Sequence, residues 1–402
     1  MPFEAFIIAA ARTPVGRAGR GALRAARPED LAALALETAL ERGGIPKDEA
    51  LREVEDVVLG CAMPEAEQGL NVARIASLRA RLPVQTAAMT VNRFCASGLE
   101  ALALADARVR GGASLALAGG VESMSRVPMG GHRPSPNPWL LEHYPDAYLS
   151  MGLTAERLAV ETGIGREAAD AFAYESHRRA LAAMAEGRFA EEVVPVSTRV
   201  PSLPAGEPLE SAAAGWREIT LQQDECPRAE TTPEALAALP PAFHFQGQVT
   251  AGNASQMSDG AAALLVANAA IVRRHNLRPM GRLCAYAVAG IEPERMGLGP
   301  VAAIPRALER AGRRLEEMDL IELNEAFAVQ ALAVISQTGL DLSRVNVNGG
   351  AIALGHPLGC TGARLAVSMF YELRRRRARF GLITMCVGGG MGAAGVIENL
   401  QN

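Results

Sequence analysis

Three short segments of this 402-residue chain set reactive side chains in bare, glycine-rich backbone. In Val91-Asn92-Arg93-Phe94-Cys95-Ala96-Ser97-Gly98-Leu99 a cysteine stands where an extended stretch gives way to a predicted helix over 96–110. A thiolate at a helix N-terminus is stabilised by the backbone dipole, so a lowered pKa is expected there. Free cysteine serves as readily as inert core filler, and this segment alone leaves both readings open. Asn346 to Gly362 carries His356, one of six histidines, in a glycine-dense turn just before another helix. A neutral imidazole there can activate a thiol or donate to an oxyanion, and the glycines permit close ligand approach. Cys386-Val387-Gly388-Gly389-Gly390-Met391-Gly392 ends a predicted strand with a second cysteine. Successive glycine N–H groups can form an anion-binding nest. The run Gly390 to Gly395 also fits a dinucleotide-binding pattern, but too little chain follows for the helix, second strand and distant acid that pattern needs. Asn324, in Leu323-Asn324-Glu325-Ala326-Phe327-Ala328, stands between a strand and a helix at an expected N-cap. Capping is its ordinary role; its chemical role would be to place a water or a donor at an oxyanion.

Composition narrows the chemistry further. Lys47 is the only lysine and falls in the polar stretch from Gly43 to Asp48, which reads as a loop. That excludes Schiff-base and pyridoxal phosphate chemistry and a Gly-Lys-Ser/Thr phosphate loop. Any phosphate-bearing ligand must be held by arginine, backbone N–H groups or helix ends. Cys61, Cys95, Cys226, Cys284, Cys360 and Cys386 form no Cys-x-x-Cys pair and no metal-ligand spacing, so no metal is expected. A net charge of -4 gives no reason to expect nucleic acid. There is no signal-like start and no apolar run of roughly 18 residues, so neither export nor a membrane is expected, and a cytoplasmic protein with reduced thiols is. Arg374 to Arg377 closes a predicted helix, where cations complement the dipole on a solvated face.

The elements that must position these groups alternate. Strands are predicted over 3–10, 56–60, 86–92, 114–119, 261–266, 282–289 and 320–323, with helices over 28–41, 71–80, 96–110 and 301–310. This implies α/β architecture with a largely parallel sheet. Between 121 and 249 the pattern breaks. Pro134, Pro136 and Pro138, then Pro201, Pro204 and Pro208, flank two helices over 154–161 and 166–186, which reads as an inserted loop-rich domain. The order turn, long helix, strand and glycines occurs after Cys95 and again after Gly355, suggesting two related halves.

Taken together, Asn92-Arg-Phe-Cys95-Ala-Ser-Gly, Asn324-Glu-Ala-Phe, Gly355-His356-Pro-Leu-Gly-Cys-Thr-Gly and Cys386-Val-Gly-Gly-Gly-Met-Gly resemble the motifs of thiolases in order and spacing. Gly119 to Ser125 and Thr250 to Gly260 add to the resemblance, which runs effectively the whole chain. It implies two similar five-layered α-β-α-β-α halves: 1–120 completed by 250–278, and 279–402, with 121–249 inserted as a loop domain that binds coenzyme A. It implies a homodimer or homotetramer acting on acyl-CoA and CoA, with no tightly bound cofactor, and an enzyme of β-oxidation as a candidate partner. By resemblance Cys95 carries the acyl group, His356 activates it, and Cys386 moves the proton at the substrate α-carbon. His356 and a water on Asn324 would hold the enolate oxygen, and the N–H groups of Cys95 and Gly388 the tetrahedral oxyanion. Arg228 matches a position near the nucleotide, Ser255 and Ala251 lie in the segment that contacts pantetheine, and Met151 matches an acyl-pocket position. Ser150 stands where biosynthetic members often have histidine, and the covering segment 132–150 is short. Both features resemble degradative 3-ketoacyl-CoA thiolases with longer acyl pockets. The nearest alternative is a short-chain acetyl-CoA acetyltransferase; a catalytically silent acyl-CoA binder would be expected to lack Cys95, His356 or Cys386.

Overall fold

The apolar runs become strands because helices cover them on both faces. The computed structural model describes residues 4–202 and 215–401; Phe3, Pro204 and Pro208 lie outside them. One half of the sheet comprises β1 (Ala5–Arg12), β2 (Val54–Gly60), β3 (Ala87–Val91), β4 (Leu115–Ser123) and β5 (Ser258–Asn268). The other comprises β6 (Gly281–Gly290), β7 (Leu320–Leu323), β8 (Phe380–Val387) and β9 (Met391–Asn399). β4, β5 and β8 are buried at every position, as strands clad on both sides must be.

The strand order is β3-β2-β4-β5-β1, then β6-β9-β8-β7. β2 runs parallel to β3 and β4, and β7 parallel to β8. The pairs β4–β5, β5–β1, β8–β9 and β9–β6 are antiparallel. A parallel bridge between Ile321 and Val345 supplies, in the second half, the edge position that β3 fills in the first. The same plan is therefore built twice, and the halves join at one residue pair, Ile7 with Gly281. The sheet is mixed rather than largely parallel. For one pair the cause is local: β8 and β9 are joined by a tight glycine turn, and only antiparallel neighbours can be joined that way; β4–β5, β5–β1 and β9–β6 are antiparallel across long connections.

The principal helices are α1 (Pro28–Arg42), α2 (Ser97–Arg110), α3 (Met151–Thr162), α4 (Arg166–Ala185), α5 (Gly299–Ala311), α6 (Ala328–Thr338) and α7 (Leu358–Arg376). α1 starts with Pro28 in its first turn beside Glu29 and Asp30 and ends on Arg42, a pairing of charge with dipole. Three apolar cores result. One lies between α1 and the outer face of the first half, one around α2 and α7 between the halves, and one between α5, α6 and the second half. The layers are thus helix, sheet, helix, sheet, helix. The stretch from Gly43 to Asp48 is not wholly a loop: it turns at Gly44 and is helical from Lys47, with Asp48 and Glu49 in the first turn.

Contact between α2 and α7 places the chemistry. A Cβ on Gly98 would lie 2.5 Å from Ala363 N, and one on Gly362 only 2.3 Å from Leu99 N. Glycine at both positions lets the two backbones touch. Because the contact falls near the start of both helices, Cys95, just before α2, and His356, just before α7, arrive at the same place.

The insertion between β4 and β5 contains α3, α4 and a hairpin of Val196–Pro201 with Trp216–Leu221. Arg12, buried at the end of β1, ties it down. Its Nε donates to Glu192 (2.7 Å) and its Nη atoms to Asp224 (2.7 and 2.9 Å). A buried cation persists only when paired and hydrogen-bonded in this way. Arg375 and Arg376 pair with Glu372, and Arg374 with Glu191, so that run is a solvated helix end. Among the described residues no helix is long and apolar enough to cross a membrane.

Candidate functional site

Cys95 occupies a tight 3-10 turn, Phe94–Ala96, immediately before α2. Short polar side chains pin the turn. Asn92 Oδ1 accepts the Phe94 N–H at 2.8 Å, and Ser97 Oγ accepts the Arg93 N–H at 2.8 Å. Phe94 is held at φ 42, a left-handed conformation that a bulky residue keeps only under such constraint. Cys95 packs with Ala62, Met124 and Leu358. Behind this wall the buried carboxylate of Glu122 accepts from the backbone N–H groups of Ala62 (2.8 Å), Met63 (3.2 Å) and Gly359 (2.8 Å) and from Gln68 Nε2 (2.8 Å). One acid thus fastens the end of β2 to the first turn of α7.

The facing wall belongs to the other half and to the insertion. Cys386 ends β8 and packs in a cluster with Met151, Met296, Ala326 and Phe327. Between the walls is a cavity of about 540 Å³, of the size usual for small-molecule sites. Cys95, His356, Cys386, Met151, Arg228, Ala251 and Ser255 all line it. The other two residues singled out in the sequence stand behind these. The Gly388 N–H is close enough to the Cys95 thiol to lower its pKa, and Asn324 Nδ2 lies 3.3 Å from His356 Nε2.

The hydrogen bonds of His356 fix its tautomer. Thr361 Oγ1 donates its single proton to Pro357 O (2.9 Å) and lies 2.6 Å from His356 Nδ1. Nδ1 must therefore carry the ring proton and donate it. Nε2 is left with its lone pair, facing Asn324 Nδ2 on the cavity side. Asn324 does not cap a helix: α6 begins at Ala328 with Phe327 at its N-cap. Its Oδ1 is buried and has no partner among the described residues.

Burial dominates the electrostatics. It pushes the Cys95 thiol up to about 11; the Gly388 and Cys95 N–H groups lower it, and the charge of Glu122 raises it. The lowered pKa expected from a helix N-terminus is thus overturned, because the sulfur is buried in an apolar wall with a 3-10 turn between it and α2. Cys386 is raised by burial and by its neighbour Cys95. His356 is lowered to about 3, by burial first and the charge of Arg364 second. Near neutral pH the site holds two thiols and a neutral imidazole.

Arg228 stands at the mouth. Its N–H donates to His177 Nδ1 (3.2 Å) and its Nη2 to Gln256 Oε1 (3.4 Å). Arg228, Ala251 and Gln256 also line a second cavity of about 140 Å³. Thr361, Gln256, Arg17 and Arg20 were not singled out in the sequence. Thr361 and Gln256 fall inside the quoted motifs, and a hydroxyl five residues after a reactive histidine was the available signal. Arg17 and Arg20 follow β1 and carry no signal beyond their charge.

A thiol from one half faces an imidazole and a second thiol from the other across an apolar cavity, an arrangement suited to acyl transfer through a thioester. The comparison with known families agrees: residues 5–270 match the thiolase N-terminal domain and 277–399 the thiolase C-terminal domain. The chain belongs to the thiolase family and is an acyltransferase acting on CoA thioesters. It is 50% identical over 399 residues to a 3-ketoacyl-CoA thiolase of Bacillus subtilis, covering 98% of this chain and 99% of the relative. It is 45% identical over 418 residues to the 3-oxoadipyl-CoA/3-oxo-5,6-dehydrosuberyl-CoA thiolase of Escherichia coli, covering 99% and 100%. The crystal structure of the Bacillus anthracis acetyl-CoA acetyltransferase superposes with a TM-score of 0.87 at 39% identity, over 99% of each chain.

Proposed function

We propose that this thiolase works on medium-length 3-ketoacyl-CoA, with Cys95 as the acyl-carrying nucleophile. The observation that carries the chain length is the lining. Met124, Met129, Met151, Met257 and Met296 line the cavity with Phe243 and Phe327. Methionine is flexible enough to repack around chains of different length. Ser150 at the cavity edge leaves room that a bulkier side chain would fill.

His356 Nε2 takes the thiol proton as Cys95 attacks the 3-keto carbon. The N–H groups of Cys95 and Gly388 hold the oxyanion. The carbon–carbon bond breaks and acetyl-CoA leaves as its enolate, whose oxygen meets His356 and a water on Asn324. The orphan Oδ1 of Asn324 supports that water's place. Cys386 gives the enolate its α-proton. A second CoA thiol then takes the shortened acyl group from Cys95, Cys386 accepts the proton of that thiol, and His356 returns its proton to the released Cys95 thiolate. Condensation is the reverse. Arg228 takes the phosphate-bearing end of CoA, while Ser255, Ala251 and Met151 line the pantetheine and acyl path. The domain division of the sequence reading, with 121–249 as the CoA-facing insertion, belongs to this proposal.

A homodimer is part of the same reading. β3 is an edge strand, and Leu70 (90% exposed) and Val84 (69%) lie on the segments flanking it, with Leu78 and Ile75 between them. Exposed edges beside apolar side chains are ordinarily covered, and a second copy would cover this one. Six free cysteines fit the reducing cytoplasm.

The test is kcat/KM for thiolysis of 3-ketoacyl-CoA from four to eight carbons, with radiolabelled acetyl-CoA to map the acylated peptide. Label on Cys95 and efficiency sustained through eight carbons are expected. A collapse beyond four carbons would make this a dedicated acetoacetyl-CoA enzyme, and label on Cys360 or Cys386 would overturn the nucleophile. Light scattering at the monomer mass would refute the dimer.

A further inference from the structure

The cavity mouth carries two arginines that neither the motifs nor the reaction uses. Arg17 and Arg20 line the cavity with Arg228, and no aspartate or glutamate lines it among the described residues. Most arginines of the chain are held by carboxylates, but the side chains of Arg17 and Arg20 have no hydrogen bond or ion pair among the described residues, and both residues are exposed. Their loop is nevertheless fastened. Glu225 Oε1 accepts the N–H groups of Arg17 (2.7 Å) and Ala22 (3.0 Å), Ser125 Oγ accepts that of Gly19 (2.8 Å), and Met257 O that of Ala18 (3.0 Å). Glu225, which reaches this loop from a distant segment, is thus spent on its backbone, and the side chains of Arg17 and Arg20 take no carboxylate among the described residues.

We infer that Arg17 and Arg20 form, with Arg228, an anion-binding rim for a negatively charged group of the substrate remote from the reacting thioester. Position favours the phosphates of the CoA nucleotide. Arg17 pairs in register with Ser258, Ala18 bonds Met257, and Arg228 reaches Gln256, so all three cations border the same strip of chain. Guanidinium forks match phosphate oxygens, and a rim of one sign also speeds the arrival of an anionic substrate. A carboxylate at the far end of a dicarboxylic acyl chain offers the same oxyanion chemistry and is the other source.

The inference rests on the thiolase reading, and its test keeps the two apart. Arg17→Gln, Arg20→Gln and the double variant are assayed for thiolysis of acetoacetyl-CoA, acetoacetyl-pantetheine, 3-oxohexanoyl-CoA and 3-oxoadipyl-CoA, with thermal unfolding as the fold control. Turnover of the pantetheine thioester by the unaltered enzyme reports the chemistry without the anion. For exposed charged contacts each substitution is expected to raise KM about three- to tenfold, with little change in kcat. Loss on every CoA ester but not on the pantetheine ester assigns the rim to the phosphates. Loss on 3-oxoadipyl-CoA alone assigns it to an acyl carboxylate. Equal change on all four substrates, or no change on any, overturns the inference, as would a KM independent of ionic strength in the unaltered enzyme.

Discussion

Replacing Thr361 by valine tests the tautomer of His356. Among the described residues the hydroxyl is the only partner of Nδ1, at 2.6 Å, in a side chain wholly buried on α7. Valine keeps the shape and removes the acceptor. The ring then has two choices. It can keep its proton on Nδ1 unpaired, or move it to Nε2, where it meets the Asn324 amide donor and the lone pair facing the cavity is lost. An unsatisfied buried donor costs about 1–3 kcal/mol. At about 1.4 kcal/mol per tenfold, the competent tautomer is then depopulated by a factor of about 5 to 150. The assay is rapid-quench measurement of Cys95 acylation by radiolabelled acetyl-CoA, with Thr361→Ser alongside. Serine restores the acceptor and should recover most of the rate. The reasoning fails if the valine variant acylates at the unaltered rate, or if the serine variant is equally slow while both remain folded.

Cys386→Ser should still be acylated but exchange the α-protons of acetyl-CoA about a hundred- to ten-thousandfold more slowly, the usual cost of losing a general acid or base; unchanged exchange by NMR would remove Cys386 from the chemistry. Gly98→Ala puts a methyl 2.5 Å from Ala363 N and should cost about 1–3 kcal/mol of stability as an overpacked core does, with a loss of activity exceeding that of an exposed Gly290→Ala control, where a Cβ meets nothing; equal effects from the two would refute the contact. Stability should also fall on both sides of neutrality. His356 (about 3) and His177 (about 4) sit below their ordinary 6.5, so between pH 6.5 and 4 the unfolded chain binds protons the folded one refuses, and stability falls by at most about 1.4 kcal/mol per pH unit for each. Cys95 (about 11), Cys226 and Cys360 (both about 12) lie above their ordinary 9.0, so above pH 9 the unfolded thiols lose protons the folded ones keep, and stability falls again. Urea unfolding that is flat from pH 6.5 to 4 would contradict the burial of the two histidines.

That Cys95, His356 and Cys386 meet at one cavity was legible because the chemistry proposed for them demands a visible setting. Cys95, His356 and Cys386 each sit at a turn of small residues, and a turn that meets both ligand and neighbouring helix needs those residues in the sequence itself. The strands were legible because β4, β5 and β8 are buried at every position, which writes them as apolar runs. The pKa of Cys95 was misread because a helix start is visible in sequence, while the apolar wall of Ala62, Met124 and Leu358 is assembled from three distant segments. The N-cap position expected of Asn324 failed for a related reason. A cap is a local inference, and its true neighbour, His356, is 32 residues away. Strand direction failed where it depended on the tight turn between β8 and β9, and the role of Glu122 depends on partners contributed by three other segments.

The doubled plan also sets an order of assembly. β5, which pairs with both β1 and β4, is synthesised more than 130 residues after β4, once the whole insertion has been made. α7, which covers the inner face of the first half through Gly98 and Leu99, comes later still, within the last 45 residues of the chain. A nascent chain that has left the ribosome as far as residue 300 can complete the strand pairing of its first half, yet it must carry the apolar surface of α2 uncovered. Domains fold as units from the N-terminus, and such uncovered surface is where chains associate wrongly. The interval between the making of β5 and of α7 is therefore when this protein is most open to chaperones and to aggregation, and the seam that borders the cavity is the last part of the core to close.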